Sequence, residues 1–250
     1  MIQTIAKSYI LETVRNSGVF LGNVLTPIIL IACSALVNVF LDHRPETVEF
    51  MIKELFLPFS IVLLLFSFSF NSATIYLAQL KANKTFHWLT KTNVSPFTYF
   101  LGMGIGVFIL MNGFLIFILS GFAFLVSISI SVFFTILLTC NIIFLAMYPG
   151  TFIVAGIVKN GEKAQTWLLP IMMILIFSIY MPSVFLPVSG INPQDYYIFL
   201  SWNPMLYFFD ILHVQLNVID HTWLNLYQYA LILIGLSILL SILAKKIYNR

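Results

Sequence analysis

The sequence predicts an all-α membrane protein with six transmembrane helices, an N-terminal amphipathic surface helix, and outer re-entrant helices between spans five and six. Of its 250 residues, 60% are hydrophobic and 8% are charged, whereas a soluble domain carries about 25% charged residues. Apolar stretches alternate with short polar breaks along the whole chain. Each stretch is close to the ~20 residues that cross a hydrocarbon core.

The distribution of basic residues predicts the orientation. Ten of the twelve Lys and Arg residues fall in alternate polar breaks or at the two ends of the chain. Asp42, Glu46, Glu49, Asp195 and Asp220 fall in the other breaks. Cytoplasmic loops are enriched in Lys and Arg. Both termini are therefore expected in the cytoplasm, with an even number of crossings between them.

Residues 1–17 predict an amphipathic helix that lies on the membrane surface. One face, at helical spacing, holds the less polar residues Ile2, Ile5, Ala6, Tyr9, Ile10, Thr13 and Val14. Polar and charged residues occupy the opposite face. Short helices of this kind lie in the plane of the interface.

Six spans are expected in the remaining residues, 18–250. Their predicted limits are Val19–Leu41, Glu54–Leu80, Phe97–Leu119, Val132–Val158, Trp167–Leu186 and Leu226–Leu243. In the third span, Gly102 and Gly106 form a small-xxx-small pair, which favours close helix packing. A nucleotide loop is disfavoured there, because Gly102, Gly104 and Gly106 lie inside an apolar helix.

The stretch between Pro187 and His221 is aromatic and apolar, and Asn203-Pro204 interrupts it. It is too short for two full crossings. An interfacial or re-entrant helical pair on the outer face fits better.

The sequence contains no catalytic constellation and no clustered metal ligands. Cys33 and Cys140 both lie inside apolar stretches, so neither a disulfide nor a metal site is expected. Asp210 and His213 are one helical turn apart. They could form a proton relay, although such a pair is more often simply solvated or hydrogen-bonded.

Charged residues are almost absent from the span interiors: none lies between Glu54 and Lys81. Ion-coupled carriers usually place an acid, a base or a His near the membrane midplane. An energy source outside this chain is therefore favoured. The chain has no phosphate loop of the G-x-x-x-x-G-K-[ST] type, so it is not expected to bind ATP itself.

Span two carries a predicted polar stripe. Ser60, Ser67, Asn71 and Thr74 follow one another at intervals of seven, four and three, which places them on one face of an α-helix. They are candidates for lining a substrate path. Hydrogen bonding between neighbouring helices is an equally good explanation.

The break after span two is short, basic and aromatic. It runs from Leu80 to Gly102 and contains Lys84, Phe86, Trp88 and Leu89. It is either a positively charged loop with an interfacial Trp or a short helix that presents Phe86, Trp88 and Leu89 to a soluble partner.

Taken in order, these features resemble the membrane subunit of ABC-2 type exporters. The matching features are the surface helix, the six spans, and a segment after span two that combines Lys84, Leu89, Ser95-Pro96 and Leu101-Gly102. Further along the chain, Pro170 and the stretch MPSVFLP at 181–187 also match, as does Asn203-Pro204 followed by Tyr207 and Asp210. The family often has a Glu-Arg-Glu-like run at the end of span two. This chain has Ala78-Gln79-Leu80-Lys81-Ala82 instead, which puts any salt bridge with an ATPase there in doubt.

The resemblance implies a half-transporter in a bacterial plasma membrane. Residues 1–17 would be the connecting helix and residues 18–250 the transmembrane domain. Lys84, Phe86, Trp88 and Leu89 would contact a cytoplasmic ATP-binding subunit, which would carry ATP and Mg. Asn203, Pro204 and Asp210 would belong to the outer re-entrant helices. A second copy or a related permease would complete the channel. No cofactor, nucleic acid or catalysis of its own is implied for this chain.

The chain is similar to short, Phe- and Ile-rich members that export or detoxify amphipathic peptides. Peptide-antibiotic immunity and small-drug export are alternative roles within the same family. An ion-coupled carrier, a membrane-embedded enzyme and a passive assembly factor are the alternatives.

Overall fold

The computed structural model describes residues 1–84, 91, 94–188 and 190–248, and all regular structure in them is helical. Six helices are long and apolar enough to cross a membrane, which confirms the predicted fold class. We call them spans one to six: Ser17–Phe40, Pro45–Ala82, Pro96–Ala123, Ile130–Ile157, Gly161–Val188 and Leu226–Tyr248. Six crossings bring both ends of the chain to one side, here called the terminal side; the opposite side is the far side.

The helix limits follow local sequence signals. Ser95 and Ser129 accept hydrogen bonds from the backbone N–H groups of Thr98 and Val132, and so begin spans three and four. The uncharged stretch after span three contains its loop at residues 124–129. Span two is longer than predicted, because it continues through Lys53 and Glu54 to Pro45 on the far side.

Span two is the centre of the molecule. It packs against spans one, three, four and five, and span six lies on span four. Half of its most apolar window is buried within the chain, against 11% for span six. Span six therefore presents most of its surface to lipid, whereas span two presents only a narrow strip.

The predicted surface helix runs over Ile2–Arg15 and lies against span three. Glycines in span three make this contact possible. A Cβ atom on Gly102 would lie 2.8 Å from Cβ of Ile5, and one on Gly106 would lie 2.9 Å from Cδ1 of Tyr9. The small-residue pair thus seats the surface helix, where close backbone approach is needed.

On the far side, a short helical segment connects spans five and six. It consists of a 3₁₀ turn at Pro193–Tyr196, a helical turn at Tyr197–Leu200 and a helix at Pro204–Gln215, which we call the far-side helix. The far-side helix packs against spans two, four and five, and its residues from Pro204 to His213 are buried.

The segment does enter between the spans, as expected for a re-entrant element. The Asn203 side chain donates a hydrogen bond to the Leu175 carbonyl of span five at 2.6 Å. Leu175 lies 13 residues before the end of span five at Val188, or about 20 Å along the helix.

A methyl group added at Gly106 is expected to displace the surface helix. The new Cβ would also lie 3.0 Å from the Ala6 carbonyl oxygen, which belongs to the backbone and cannot rotate away. We expect Gly106→Ala to destabilise the fold by about 1–3 kcal/mol, measured as a lower Tm of the purified protein. Gly113→Ala is the matched control in the same helix, since nothing lies within 4 Å of its Cβ position. Equal Tm values for the two variants would contradict the packing described.

Candidate functional site

A narrow strip of span two reaches the surface of the chain. From Phe59 to Gln79, every fourth residue is partly or fully exposed, and the residues between them, apart from Tyr76, are buried. We call this set the span-two stripe: Phe59, Leu63, Ser67, Asn71, Ile75 and Gln79. Half of its residues are apolar, and neutral hydrogen-bonding groups lie in its middle and at its terminal-side end.

The stripe faces a groove between spans five and one. The neighbours of span two form a chain of contacts in which span one touches span three, span three touches span four, span four touches the far-side helix, and the far-side helix touches span five. Spans five and one do not pack together to a similar extent in the described part of the chain. On its span-five side, the groove is bordered by Tyr180, which packs against Phe59, and by Gly161, which lies against Ile75 and Gln79.

The predicted stripe is only partly kept. Ser67 and Asn71 lie in the groove, but Ser60 and Thr74 are fully buried inside the chain. The Thr74 hydroxyl donates to the Phe70 carbonyl at 2.6 Å, and the Ser60 hydroxyl has no hydrogen-bond partner. The common exposed face predicted from the spacing is therefore wrong for these two residues.

Thr74 is absent from the exposed stripe because a π-helical segment lies at Ser67–Ser72. In an α-helix, side chains four residues apart differ in direction around the helix axis by about 40°, so the five steps from Phe59 to Gln79 would rotate the stripe by about 200°. One extra residue in a π turn reduces this rotation by about 100°. The π turn therefore brings Ile75 into the groove and turns Thr74 towards the core.

Asp210 is the centre of the far-side site. It is fully buried, and its carboxylate accepts three hydrogen bonds. The Tyr229 hydroxyl donates at 2.5 Å, the Trp223 backbone N–H at 2.9 Å and the Gln194 side chain at 3.2 Å. These donors belong to span six, the loop before it and the 3₁₀ turn. One carboxylate thus joins the far-side helix to all three segments.

Burial raises the pKa of the Asp210 carboxyl, and the hydrogen bonds from Tyr229, Trp223 and Gln194 oppose this shift, as does the nearby charge of His221. His213 is not among the donors to Asp210. Its ring packs edge-on against Phe209, and its Nε2 atom is buried without a hydrogen-bond partner. The structure therefore favours a hydrogen-bonded Asp210 over an Asp210–His213 proton relay.

Asn203 and Pro204 form the start of the far-side helix. The Asn203 side chain accepts a hydrogen bond from the backbone N–H of Met205 at 3.0 Å, which caps the helix. Its amide group also donates to Leu175 and to the Ser178 hydroxyl of span five. Pro204 occupies the first helical position, where a missing N–H costs nothing. The predicted Asn-Pro motif is therefore a helix start bonded to span five.

The expected coupling segment lies mostly outside the described residues, which include neither Phe86, Trp88 nor Leu89. Lys84 is described: it is exposed and has a backbone φ of 55°. A positive φ is uncommon for a non-glycine residue and marks the turn after span two.

Sequence reasoning missed the role of Lys81. Its ammonium group donates hydrogen bonds to the carbonyls of Ala155, Gly156 and Val158 at the terminal-side end of span four. A cation is favoured there, because the last carbonyls of a helix are unpaired and carry partial negative charge. A Lys at the end of one span is only a weak sequence signal for this contact.

The described residues contain no group of three or more His, Cys, Asp or Glu side chains that could hold a metal ion. Comparison with known proteins adds no relative. The sequence matches no family model and no curated protein at a significant level.

Removal of the Tyr229 hydroxyl is expected to weaken the far-side site. Tyr229→Phe leaves Asp210 buried with one donor fewer, and losing a partner of a buried polar group costs about 1–3 kcal/mol. The Tm of the purified protein should fall by several degrees. Tyr227→Phe, on an exposed residue of the same helix, should leave Tm unchanged. A similar Tm for both variants would show that the bond to Asp210 contributes little.

The burial of His213 predicts a loss of stability in acid. Burial lowers the pKa of His213 to about 4, from about 6.5 in an unfolded chain. The unfolded state therefore binds a proton first, and stability falls as the pH drops from 6.5 towards 4. At pH 5, the expected loss in the free energy of unfolding is about 2 kcal/mol.

The change in Tm between pH 7.5 and pH 5 measures this effect. It should be smaller in His213→Gln than in the unmodified chain. In the control Tyr227→Phe, on an exposed residue of span six, it should match that of the unmodified chain. If His213→Gln and Tyr227→Phe respond to pH alike, the titration of His213 has been misassigned.

Proposed function

We propose that this chain is the transmembrane subunit of an ATP-driven ABC exporter. It moves an amphipathic or hydrophobic substrate, with a toxin or antimicrobial peptide favoured, out of a bacterial cell. A separate cytoplasmic subunit hydrolyses ATP, and a second copy or a related permease faces the groove. Both termini and the turn at Lys84 then lie in the cytoplasm.

The observation that carries the proposal is the groove along span two. Its stripe combines the apolar residues Phe59, Leu63 and Ile75 with neutral hydrogen-bonding groups, of which Ser67 and Asn71 lie at its centre. A path for an amphipathic molecule needs both kinds of surface. Because a two-fold interface is self-complementary, the same groove on a second copy would enclose this path from the other side.

A coupling role for the break after span two is supported by what surrounds it. Span two ends beside span four, to which Lys81 is hydrogen-bonded. A soluble partner that binds Phe86, Trp88 and Leu89 would therefore act close to the helix that lines the groove. Large apolar anchors of this kind commonly dominate binding to a partner.

The experiment is reconstitution with the phosphate-loop ATPase encoded nearest to the gene for this chain. The two proteins should purify together, and amphipathic peptides should stimulate ATP hydrolysis in proteoliposomes. Joint replacement of Trp88 and Leu89 by Asp should abolish the association while the permease still inserts.

Asn71→Trp should block the groove, and thus transport, without disturbing the association. Leu231→Trp is its control, since Leu231 is exposed on span six and away from the groove. Absence of any ATPase association, or normal transport by Asn71→Trp, would overturn the proposal.

An ion-coupled carrier is the second candidate, because Asp210 and His213 are both buried in the re-entrant segment. Buried ionisable groups are common in ion pathways. An uncoupler that collapses the proton gradient distinguishes the two. A carrier driven by protons stops in its presence, and it also stops in Asp210→Asn. The proposed exporter continues as long as ATP is supplied.

A further inference from the structure

The set of span-two residues that the spacing places on one face differs from the set that the structure exposes. The spacing of Ser60, Ser67, Asn71 and Thr74 places them on one face of an uninterrupted α-helix. The structure instead exposes Ser67, Asn71 and Ile75 and buries Thr74. The π segment at Ser67–Ser72 accounts for the exchange of Thr74 for Ile75, whereas Ser60, which is also buried, lies before this segment.

The position of the π turn determines which residue enters the groove. In a continuous α-helix, Thr74 lies within about 20° of the direction of Ser67, because seven residues complete almost two turns. With a π turn between them, Thr74 is turned away by about 100°, and Ile75 takes its place. If the π turn moved past Ile75 towards the terminal side, Thr74 would return to the groove.

The local hydrogen bonds are suited to such a movement. The Ser69 hydroxyl donates to the Leu65 carbonyl, and the Thr74 hydroxyl donates to the Phe70 carbonyl. Both carbonyls lie four residues earlier, where a backbone N–H would donate in an α-helix. Each of these two carbonyls therefore has a hydroxyl donor and stays partnered while the backbone amides around it change theirs.

Tyr9 of the surface helix lies against the terminal-side end of the π segment. It is fully buried, its hydroxyl donates to the Ser72 hydroxyl at 3.3 Å, and its ring packs edge-on against Tyr76 at 5.0 Å. Gly106 of span three leaves the space that the ring occupies. Residues 72–76 would have to turn beneath this ring for the π turn to move.

We propose that the π turn of span two is mobile along the helix, and that Tyr9 holds it at Ser67–Ser72. Its movement by about two turns, to a position beyond Ile75, exchanges Ile75 for Thr74 in the groove and makes the groove more polar. Residues beyond the moved turn keep their orientation, so Lys81 keeps its contact with span four. The surface helix thereby sets the polarity of the groove, whatever the substrate or the energy source.

Single-residue deletions test whether span two contains one removable residue. Deleting Ser69 should convert the π turn to α-helix and leave both halves of span two in their present orientation, with Tm changed by only a few degrees. Deleting Ile61, which is also fully buried but lies in an α-helical part of the same span, should shift one half and prevent folding. Equal damage from the two deletions overturns the proposal.

Accessibility at positions 74 and 75 tests the role of Tyr9. A nitroxide label is placed on Thr74→Cys or Ile75→Cys after Cys33 and Cys140 are replaced by Ala. Collisions with molecular oxygen then measure exposure to lipid or to water in reconstituted vesicles. In the unmodified background, the label at position 75 should be the more accessible.

Tyr9→Phe should shift the ratio of the two registers towards exposure of position 74 by about fivefold, the factor expected for one hydrogen bond. Ser72→Ala removes the same bond from the other side and should act alike. Tyr180→Phe is the control: it removes a hydroxyl bonded to Leu55, far from this turn. In the Ser69 deletion, Tyr9→Phe should have no effect, because no π turn is left to move. Unchanged accessibility in both Tyr9→Phe and Ser72→Ala overturns the assignment of Tyr9, even if transport by the chain is later established.

Discussion

Close contact between helices is the constraint on which this structure depends. In a membrane, lipid tails are as apolar as Leu side chains, so helices associate through packing and hydrogen bonds instead of through the hydrophobic effect. The chain meets this requirement by pairing glycines with large side chains. Gly106 receives Tyr9, and Gly150 receives Phe70, whose ring lies 2.7 Å from the position of an added Cβ. These pairs hold the surface helix on span three and span two on span four, and together they fix span two at the centre of the bundle.

Polar groups add direction to this packing. Side-chain hydrogen bonds to the carbonyls of a neighbouring helix recur throughout the bundle: Tyr148 donates to Phe100, Tyr180 to Leu55 and Ser237 to Leu145. Asn112 of span three and Asn141 of span four donate to each other at 2.8 and 2.9 Å. Each bond sets the height of one span relative to the next, which apolar packing alone determines poorly.

Much of the fold could be predicted from the sequence, because apolar length, charge distribution and capping residues act locally. Ser95 begins a helix whatever surrounds it, and the pair Gly102 and Gly106 indicates close packing before its partner is known. The groove could be predicted only in part. The spacing of Ser67 and Asn71 predicts a shared face, and both residues are partly exposed in the groove. The same spacing wrongly adds Thr74 to this face, because it assumes α-helical geometry throughout. A π turn depends on how the whole helix fits its neighbours, and the residue types at Ser67–Ser72 do not predict it. The bonds of Lys81 and Asp210 join residues far apart in sequence, so their partners could not be read from either position.

Lys81 also affects how the bundle would respond to a force on the terminal-side end of span two. Its ammonium group joins span two to the end of span four, and Gly156 at that end lies against Ile247 of span six. A force applied just after Ala82 is therefore shared by three helices from the start. Spans two, four and six are thus fastened to one another at the terminal side, so none of these three ends can be displaced there without straining a contact to another.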